Sequence, residues 1–307
     1  MTNIPENLQN ATIVIVGASS GFGKGAALKL AKEGANVVVA ARRIDLLDEL
    51  VRDIKAEGGN ALAVQTDVSE QEGIRNLAQK SVDAFGRIDV WINNVGVGAL
   101  GYFWEIPLDV HERVVDVNLS GLIYGAHTAL NQFIKQKGGT LVNVGSIDSE
   151  VPLALQNTYA ATKAAVLSLS RSLNEELRLS GNDEHIHVAT IMPWAVDTPW
   201  WTHAANYTGQ APRMAAMDDP DLVVDAIVKA CTNPREEMPV GIKAHASNIF
   251  HQIFPDLTER MSASLAKRES NKAVSAPHTQ GTLFEPMEEG RGIDGGIRAR
   301  MKKEDTA

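Results

Sequence analysis

Short runs of consecutive apolar residues alternate with helical patterns along most of the chain. The runs occupy positions 13–16, 37–40, 62–64, 90–92, 141–144 and 186–192. Consecutive apolar residues are typical of strands whose two faces are both covered by helices. Strands that alternate with helices form right-handed βαβ units. The pattern therefore predicts an α/β fold, a doubly wound parallel sheet of Rossmann type with about seven strands and helices on both faces.

Two helices between the runs have a well-defined apolar face. One covers positions 46–54, and the other covers positions 74–85 and ends at Gly86. Ser69 and Glu72 have the spacing of a capping box, which predicts the start of the second helix. Both helices are therefore expected to pack an apolar face against the sheet.

The α/β pattern weakens after about Gly241. We therefore predict a cofactor-binding and catalytic domain of residues 1–243 and a C-terminal extension of residues 244–307, helical at first and then largely irregular. Pro255 is expected to start or kink the helix. Its apolar stripe has a spacing of four and consists of Ile249, Ile253, Leu257, Met261 and Leu265. We expect the stripe to pack on the domain or on a partner subunit. A membrane-surface helix is the alternative, but the stripe lacks a strongly basic opposite face.

Composition and charge exclude classes of function rather than name one. The net charge of -9 gives a nucleic-acid backbone no reason to bind. The single cysteine, Cys231, cannot form an internal disulfide, which fits a reducing cytoplasm, and its apolar surroundings predict a buried thiol. Residues 1–7 lack the basic start and apolar core of a secretory signal. No apolar run approaches the ~20 residues that span a membrane, and no cluster has metal-site spacing. We expect a cytoplasmic protein without a nucleic-acid, membrane or metal partner.

A glycine-rich segment follows the first predicted strand and opens the first helix. Its residues are Gly17, Ser19, Ser20, Gly21, Phe22 and Gly23. Glycine permits a positive φ and lets the backbone approach a ligand closely. The N–H groups at the start of a helix, aided by the helix dipole, then face a phosphate. Strand, turn and helix in this order predict a dinucleotide-binding loop.

The end of the second strand indicates which dinucleotide is bound. An NAD site usually has an acidic residue here for the ribose 2′-hydroxyl, but the chain has Ala40 and Ala41, followed by Arg42 and Arg43. A guanidinium suits a 2′-phosphate through paired, charge-assisted hydrogen bonds. The alternative is that the arginines are solvated charges at a helix start, where cations are mildly unfavourable. The sequence therefore predicts NADP(H).

Tyr159 and Lys163 lie four positions apart in a helical pattern that continues to Leu177. They therefore share one helix face. A free tyrosine ionises near pH ~10, and an adjacent ammonium favours the phenolate and lowers its pKa. The pair is thus a candidate general acid and base.

These motifs together resemble the short-chain dehydrogenase/reductase family, in its shorter single-domain branch and with a C-terminal extension. The resemblance covers about residues 10 to 243. It is carried, in order and spacing, by Gly17-x-x-x-Gly21-x-Gly23, Asp67-Val68, Asn93-Asn94-Val95-Gly96, Asn118, Ser146, Tyr159-x-x-x-Lys163, and Pro193 with Val196 and Thr198.

The resemblance implies a role for each matched residue. Tyr159 would exchange a proton with the substrate oxygen, and Lys163 would bond the nicotinamide ribose. Ser146 would hold the substrate oxygen, with Ser149 as a weaker candidate, and Asn118 would anchor a water that relays protons. The cofactor-binding set would be the glycine-rich segment with Arg42, Arg43, Asp67, Val68, Asn94, Gly96, Tyr159, Lys163, Pro193, Val196 and Thr198.

Residues 194–217 are predicted to form the substrate lid, as the corresponding region does in the family. Trp194 stands where the family usually has glycine, and Trp200 and Trp201 follow it. An aromatic lid suits an apolar or ring-containing substrate. The alternative is that Trp200 and Trp201 pack on the domain or the extension. Candidate substrate residues are therefore Ser146, Trp194, Trp200 and Trp201.

The expected function is an NADP(H)-dependent oxidoreductase that transfers a hydride between nicotinamide and a carbonyl or alcohol. Tyr159 would be the general acid/base, assisted by Lys163, Ser146 and Asn118. One alternative is an NADP(H)-binding regulatory protein with little turnover, which the intact catalytic residues disfavour. Another is a nucleotide-sugar epimerase or dehydratase of the longer branch, which the glycine spacing and the irregular region after Gly241 disfavour.

The resemblance also implies assembly. Relatives are usually homodimers or homotetramers, so we expect a homo-oligomer that binds a small carbonyl or alcohol. The small-residue face of Gly121, Gly125 and Ala126 is compatible with close packing between helices.

Overall fold

The computed structural model describes residues 7–306. Residues 1–6 and 307 lie outside the described part, and so does most of the segment on which the expected lack of a secretory signal rests. The strands of the described part are β1 (Thr12–Val16), β2 (Asn36–Ala41), β3 (Asn60–Gln65), β4 (Val90–Asn93), β5 (Ala99–Leu100), β6 (Gly139–Val144), β7 (Ile186–Pro193), β8 (Ala205–Asn206) and β9 (Glu237–Val240).

The helices connect these strands in chain order. They are α1 (Gly21–Lys32), α2 (Ile44–Ala56), α3 (Gln71–Phe85), α4 (Leu108–Val115), α5 (Gly121–Gln136), α6 (Asn157–Ser180), α7 (Trp200–His203), α8 (Pro220–Thr232), α9 (Gly241–Ile253), α10 (Pro255–Ser270) and α11 (Ile297–Glu304). A π-helical turn at Asp116–Ser120 joins α4 to α5, and a 3-10 turn at Ile147–Ser149 follows β6.

Seven strands form one parallel sheet in the order β3-β2-β1-β4-β6-β7-β9. Alternate residues of a strand enter opposite cores: Ile13 and Ile15 of β1 lie in one hydrophobic cluster, Val14 and Val16 in the other. This two-sided burial explains why the strands are apolar at consecutive positions. Helices α1, α2 and α8 contribute to the first cluster, and α3, α5 and α6 contribute to the second. The predicted doubly wound α/β fold is confirmed.

The predicted capping box at the start of α3 is wrong. The helix begins at Gln71, and Glu70 is the N-cap residue. Ser69 lies one position further out, where its hydroxyl donates to Asp67 Oδ1 at 2.7 Å. At the other end Gly86 adopts φ 83 and ends the helix, as the sequence predicts.

The small-residue face of α5 packs inside the chain. A Cβ at Gly121 would lie 2.9 Å from Val68, and a Cβ at Gly125 would overlap the side chain of Asn93. Ala126 is buried in the cluster on that side of the sheet. These residues therefore set how closely α5 approaches the sheet, and the predicted homo-oligomer would need another surface. Cys231, as expected, is fully buried in the core.

The C-terminal extension is continuous with the catalytic unit. The boundary predicted after residue 243 falls inside α9, and Ala244 of that helix is fully buried against Ile147 and Val151. After α10 the chain follows an irregular path before α11, and its carbonyls accept hydrogen bonds from Arg42 and Arg43. We call residues 282–292 of this path the C-terminal strap. Leu283 of the strap is fully buried beside Ile106 and Val110.

The apolar stripe of α9 and α10 is mostly exposed. Leu265 packs on the cluster that includes Trp201. The other four positions are at least half exposed: Ile249, Ile253, Leu257 and Met261. The expectation that the stripe packs on its own domain is therefore wrong for those four, and packing on a partner subunit stays a prediction. None of the helices within residues 7–306 combines the length and the apolar character that crossing a bilayer requires.

Candidate active site

A cleft of about 260 Å³ opens at the carboxyl ends of the strands. The strand order reverses between β1 and β4, which is where open α/β sheets bind ligands. The predicted site residues that line it are Gly17, Ser19, Ser20, Gly21, Phe22, Arg42, Arg43, Asp67, Val68, Asn94, Gly96, Ser146, Tyr159, Lys163, Pro193, Trp194, Val196, Thr198, Trp200 and Trp201. Gly23 and Asn118 do not line the cleft, and their positions are given below.

The glycine-rich segment forms a tight turn from β1 into α1. Gly17 has φ 87 and lies against Asn94, whose Nδ2 donates to the Gly17 carbonyl at 2.9 Å. A Cβ at Gly23 would overlap that carbonyl, so Gly23 serves the packing of helix on turn. Ser20 is the N-cap residue of α1 but its side chain makes no capping bond. N–H groups of the first turn are therefore open to an anion, except that Gly21 N–H donates to the Gly292 carbonyl at 2.9 Å.

The two arginines after β2 line the end of the cleft that the sequence analysis assigns to the adenosine part of a dinucleotide, and we call it the adenine end. Arg43 donates to the Ser19 hydroxyl at 3.0 Å and to the Ser20 hydroxyl at 2.8 Å. Both arginines are half-buried. Asp67 is engaged elsewhere: it accepts from Ser69 in a local turn and pairs with Arg113 at 3.0 Å.

The C-terminal strap covers this end of the cleft. Arg42 donates to the carbonyls of Thr282 and Leu283, and to that of Phe284 at 2.9 Å. Arg43 donates to the carbonyls of Met287 and Glu289, each at 3.2 Å. Further bonds run from Lys24 to the Arg291 carbonyl and from Arg113 to the Leu283 carbonyl. The strap is therefore held by backbone acceptors on side-chain donors of the cleft.

The predicted catalytic residues meet at the other end. Ser146 follows β6 and caps the 3-10 turn, because its Oγ accepts from Asp148 N–H at 3.1 Å. Tyr159 and Lys163 come from the first turns of α6. Lys163 Nζ donates to the Val144 carbonyl at 2.7 Å and lies 5.7 Å from the centroid of the Tyr159 ring. Ser149, the weaker candidate for holding the substrate oxygen, instead donates to the Lys163 carbonyl at 2.9 Å.

Burial controls the acid–base properties of this group. It lowers the pKa of Lys163 to about 8, against the opposing charge of Asp148. It also raises the pKa of Tyr159 well above its ordinary value; Asp148 adds to the rise and a hydrogen bond with Ser146 offsets part of it. The predicted lowering of the Tyr159 pKa by Lys163 is therefore not found here, because desolvation of the phenol outweighs any effect of the ammonium.

Asn118 sits in the π-helical turn between α4 and α5. Its Oδ1 accepts from Val97 N–H at 2.8 Å, and its Nδ2 donates to the Val97 carbonyl at 2.8 Å and to Thr162 Oγ1 at 3.1 Å. Such π-turns are frequent at functional sites. The side chain thus ties the loop after β4 to α6, and its role in a proton relay stays a prediction.

Several residues of the lid, 194–217, line the end of the cleft that holds Ser146 and Tyr159, which we call the substrate end. The Trp200 ring lies 4.9 Å from the Tyr159 ring, centroid to centroid, and a Cβ at Gly98 would overlap it. Trp201 is buried, and its Nε1 donates to the Val196 carbonyl at 2.9 Å. Trp200 therefore shapes the cleft, whereas Trp201 is anchored in the domain. β8 of the lid pairs with β5, so the lid is hydrogen-bonded to the catalytic unit.

Three features of the cleft were missed by the sequence analysis. Asp148 lines the substrate end, Arg113 the adenine end, and Thr282 and Pro286 bring the strap to its rim. An acidic residue two positions after the candidate serine was a usable signal for Asp148. Nothing local in the sequence indicates the strap, because its acceptors are backbone carbonyls.

Comparison with known proteins identifies the family of the chain. The family model of the short chain dehydrogenases matches residues 11–207. The uncharacterized oxidoreductase YxnA of Bacillus subtilis is 32% identical over 284 residues, which cover 91% of this chain and 79% of that protein. A diacetyl reductase [(S)-acetoin forming] of Staphylococcus epidermidis is 36% identical over 191 residues, 62% of this chain and 73% of that protein.

A solved structure is similar over most of its length. The crystal structure of a short chain dehydrogenase/reductase from Burkholderia phymatum, in complex with NAD, has a TM-score of 0.73 and 25% identity, and the match covers 82% of this chain and 96% of that chain. The chain belongs to the short-chain dehydrogenase/reductase family, oxidoreductases that act on CH–OH and C=O groups and whose fold binds a nicotinamide cofactor.

Proposed function

We propose that the protein is an NADP(H)-dependent oxidoreductase that transfers a hydride between nicotinamide and a carbonyl or alcohol substrate. One observation carries the proposal: Ser146, Tyr159 and Lys163 converge at one end of a cleft whose other end holds the glycine-rich segment and two arginines. A cleft with this arrangement suits a dinucleotide that reaches from the phosphate loop to a proton-handling pair.

The residues present fit such a cofactor. Gly17 has the left-handed backbone that a tight phosphate turn requires, and the start of α1 has no side-chain cap. A Cβ at Gly96 would lie 3.4 Å from Lys163 Nζ, so glycine at this position leaves space in the cleft beside the lysine. When bound, the nicotinamide supplies or accepts the hydride. The chain's own residues supply orientation and the proton.

Tyr159 is proposed as the general acid of carbonyl reduction. Burial raises its pKa, so the phenol holds its proton at neutral pH but is by itself a weaker acid. We propose that the positive charge of Lys163 favours the phenolate that forms when the proton passes to the substrate oxygen. Ser146 would hold that oxygen beside the phenol. Lys163, held by the Val144 carbonyl, would bond the nicotinamide ribose. Asn118, in the π-helical turn, would anchor the water that relays protons.

NADP(H) is proposed over NAD(H) from the residues after β2. Arg42 and Arg43 line the cleft together with the Ser19 and Ser20 hydroxyls, a donor-rich group suited to a 2′-phosphate. Ala40 and Ala41 stand where an acidic residue would bond a ribose hydroxyl. The Burkholderia phymatum structure contains NAD, so both cofactors belong in the test.

The test follows the oxidation of NADPH and of NADH with a panel of aldehydes, ketones, quinones and diketones, with diacetyl included because of the Staphylococcus epidermidis relative. Tyr159→Phe removes the proton donor, so its kcat should fall by roughly 10²- to 10⁴-fold while NADPH still binds. Tyr124→Phe, a partly buried tyrosine of α5, is the matched control and should keep the parent rate.

Each part of the proposal can fail separately. A Tyr159→Phe variant with the parent kcat would reject the tyrosine as the acid. Faster turnover with NADH would reject the role given to the arginines. Tight NADPH binding without turnover of any carbonyl or alcohol would favour the alternative of a regulatory NADP(H)-binding protein.

A further inference from the structure

Asp148 is an acidic side chain at the substrate end of the cleft that the proton-handling residues leave unused. It lies in the 3-10 turn that begins directly after Ser146. The side chain lines the cleft but is only 3% exposed. Its Oδ1 has no hydrogen-bond partner in the described part of the chain. A buried carboxyl without a partner is costly, so a residue placed here is expected to meet a ligand.

The neighbouring lysine does not satisfy this carboxyl. Lys163 Nζ donates to the Val144 carbonyl at 2.7 Å, and the lysine lowers the pKa of Asp148 through its charge. Burial raises the pKa of Asp148 to about 7, against the opposing charge of Lys163. Around neutral pH the group therefore exists both as a carboxylate, which accepts a hydrogen bond, and as an acid, which also donates one.

Two donors without partners accompany the carboxyl. The indole N–H groups of Trp194 and Trp200 are buried and unpaired among the described residues, and both tryptophans line the cleft. Leu153 and Met214 add apolar surface. One carboxyl and two N–H donors thus line the cleft in addition to the polar side chains of Ser146, Gln156, Tyr159 and Lys163.

A hydroxyl group is the small neutral substituent that matches this set. It donates to a carboxylate and accepts from an indole N–H or a protonated acid. An aliphatic substituent would leave the carboxyl unpaired. An ammonium would pair with Asp148 but would also face the charge of Lys163, which acts on the same carboxyl.

We propose that Asp148 binds a hydroxyl group of the substrate, and that the enzyme's substrates are hydroxy ketones and the corresponding diols. This inference rests on the proposed function, with the reacting oxygen at Ser146 and Tyr159. Ser146 and Asp148 are two positions apart, so their Cα atoms lie within about 7 Å. We therefore place the hydroxyl near the reacting carbon, and the test uses a hydroxyl on the adjacent carbon.

The test compares two ketones of nearly equal shape, acetoin and 3-methylbutan-2-one, in which a methyl replaces the hydroxyl. We expect the parent enzyme to show a kcat/KM for acetoin at least about tenfold higher, since a hydrogen bond to a charged group is involved. In Asp148→Ala the kcat/KM for acetoin should fall roughly ten- to hundredfold relative to that for 3-methylbutan-2-one. Loss of the Asp148 charge also changes the pKa of Tyr159 and of Lys163, but that change acts on both ketones alike and leaves their ratio unaffected. Asp148→Asn keeps a hydrogen-bond acceptor, so its kcat/KM for acetoin should lie between the values of the parent and of Asp148→Ala.

Glu150→Gln is the matched control. Glu150 directly follows the same turn, but its carboxylate pairs with Arg171 at 2.6 Å. The ratio of kcat/KM for acetoin to kcat/KM for 3-methylbutan-2-one should be the same in Glu150→Gln as in the parent. An equal fall for both ketones in Asp148→Ala would overturn the inference and make Asp148 a positioning residue acting through Lys163. Preference for aminoacetone over hydroxyacetone would also overturn it, in favour of ammonium recognition.

A binding measurement separates this inference from the proposed function. The NADPH complexes of the parent and of Asp148→Ala are titrated with butane-2,3-diol and with 3-methylbutan-2-ol, and the thermal midpoint is followed. A rise produced by the diol alone, and lost in Asp148→Ala, supports the hydroxyl site even if no carbonyl is turned over. Equal responses to the two alcohols would reject the site even if turnover is found.

Discussion

The two ends of the cleft are built in different ways. At the substrate end, Ser146 follows β6 and Tyr159 and Lys163 belong to α6, and the sheet and its helices fix their positions. At the adenine end, the donors are again close to β1 and β2, but their acceptors come from the C-terminal strap. Arg42 and the Leu283 carbonyl that it contacts are separated by 241 positions in the chain.

This difference concerns how each end is stabilised. The catalytic end rests on the hydrophobic core: Ile147 and Val151 of its turn are buried against Ala244. The strap has one fully buried apolar anchor, Leu283, and is otherwise held by hydrogen bonds from half-buried cations. The adenine end is therefore expected to respond to changes in the extension that leave the catalytic end intact.

The largest expected effect comes from Arg213, which fastens the extension to the lid. Its side chain is 1% exposed and pairs with Glu269 of α10 at 3.2 Å, Glu304 of α11 at 2.8 Å and Asp305 at 2.7 Å. Arg213→Met removes the buried cation between Glu269 and Glu304, which among the described residues keep only Lys272 at 3.5 Å and Arg300 at 3.2 Å as partners. The free energy of unfolding in urea should therefore fall by about 3 kcal/mol.

Arg75→Met is the control for this measurement, because Arg75 and Glu72 form an exposed pair at 3.6 Å on α3. Its loss should be below about 1 kcal/mol. If Arg213→Met unfolds at the same urea concentration as the parent, the extension is held by its apolar contacts. That result would reject the view that polar contacts hold the extension whereas the hydrophobic core holds the catalytic end.

The contrast also explains which parts of the structure the sequence could predict. Ser146, Tyr159 and Asn94 each lie just after a strand or at the start of a helix, so the order of elements alone brings them to one sheet edge. Consecutive apolar residues likewise predict the two-sided burial of the inner strands β1, β2, β4, β6 and β7. The fold therefore follows from local patterns, whereas the roles predicted for Ser146 and Asn118 depend on the family resemblance of the ordered motifs.

Other features depend on tertiary context that no local pattern carries. The predicted capping box is absent because the Ser69 hydroxyl donates to Asp67, which in turn pairs with Arg113. The pKa of Tyr159 depends on how deeply the phenol is buried, and spacing to Lys163 does not reveal that. The strap was missed because backbone carbonyls are present in every sequence.

The next effect tests the donors of the adenine end. Arg42→Ala removes charge-assisted hydrogen bonds to a 2′-phosphate, so the Kd for NADPH should rise roughly ten- to hundredfold. The Kd for NADH, which lacks that phosphate, should change little. Fluorescence titration of both cofactors measures this, with Arg52→Ala on the exposed face of α2 as control. Equal weakening of both cofactors would show that Arg42 acts only by holding the strap.

The smallest effect tests the strap itself. Leu283→Ala removes its buried anchor while leaving both arginines, and Phe284→Ala changes a neighbouring, exposed side chain as the control. If the strap holds Arg42 and Arg43 in a binding geometry, Leu283→Ala should raise the Kd for NADPH by about tenfold, equivalent to about 1.4 kcal/mol, through faster dissociation.

A fall in the Kd for NADPH in Leu283→Ala would mean that the strap competes with the cofactor. Thr282, Leu283 and Phe284 carbonyls occupy N–H donors of Arg42 that a 2′-phosphate would use. If the strap competes with the phosphate, loosening it should tighten NADPH binding. The double variant Leu283→Ala/Arg42→Ala decides between the routes: effects that do not add place the strap's influence on Arg42, whereas additive effects mean that it covers the cofactor independently of that arginine.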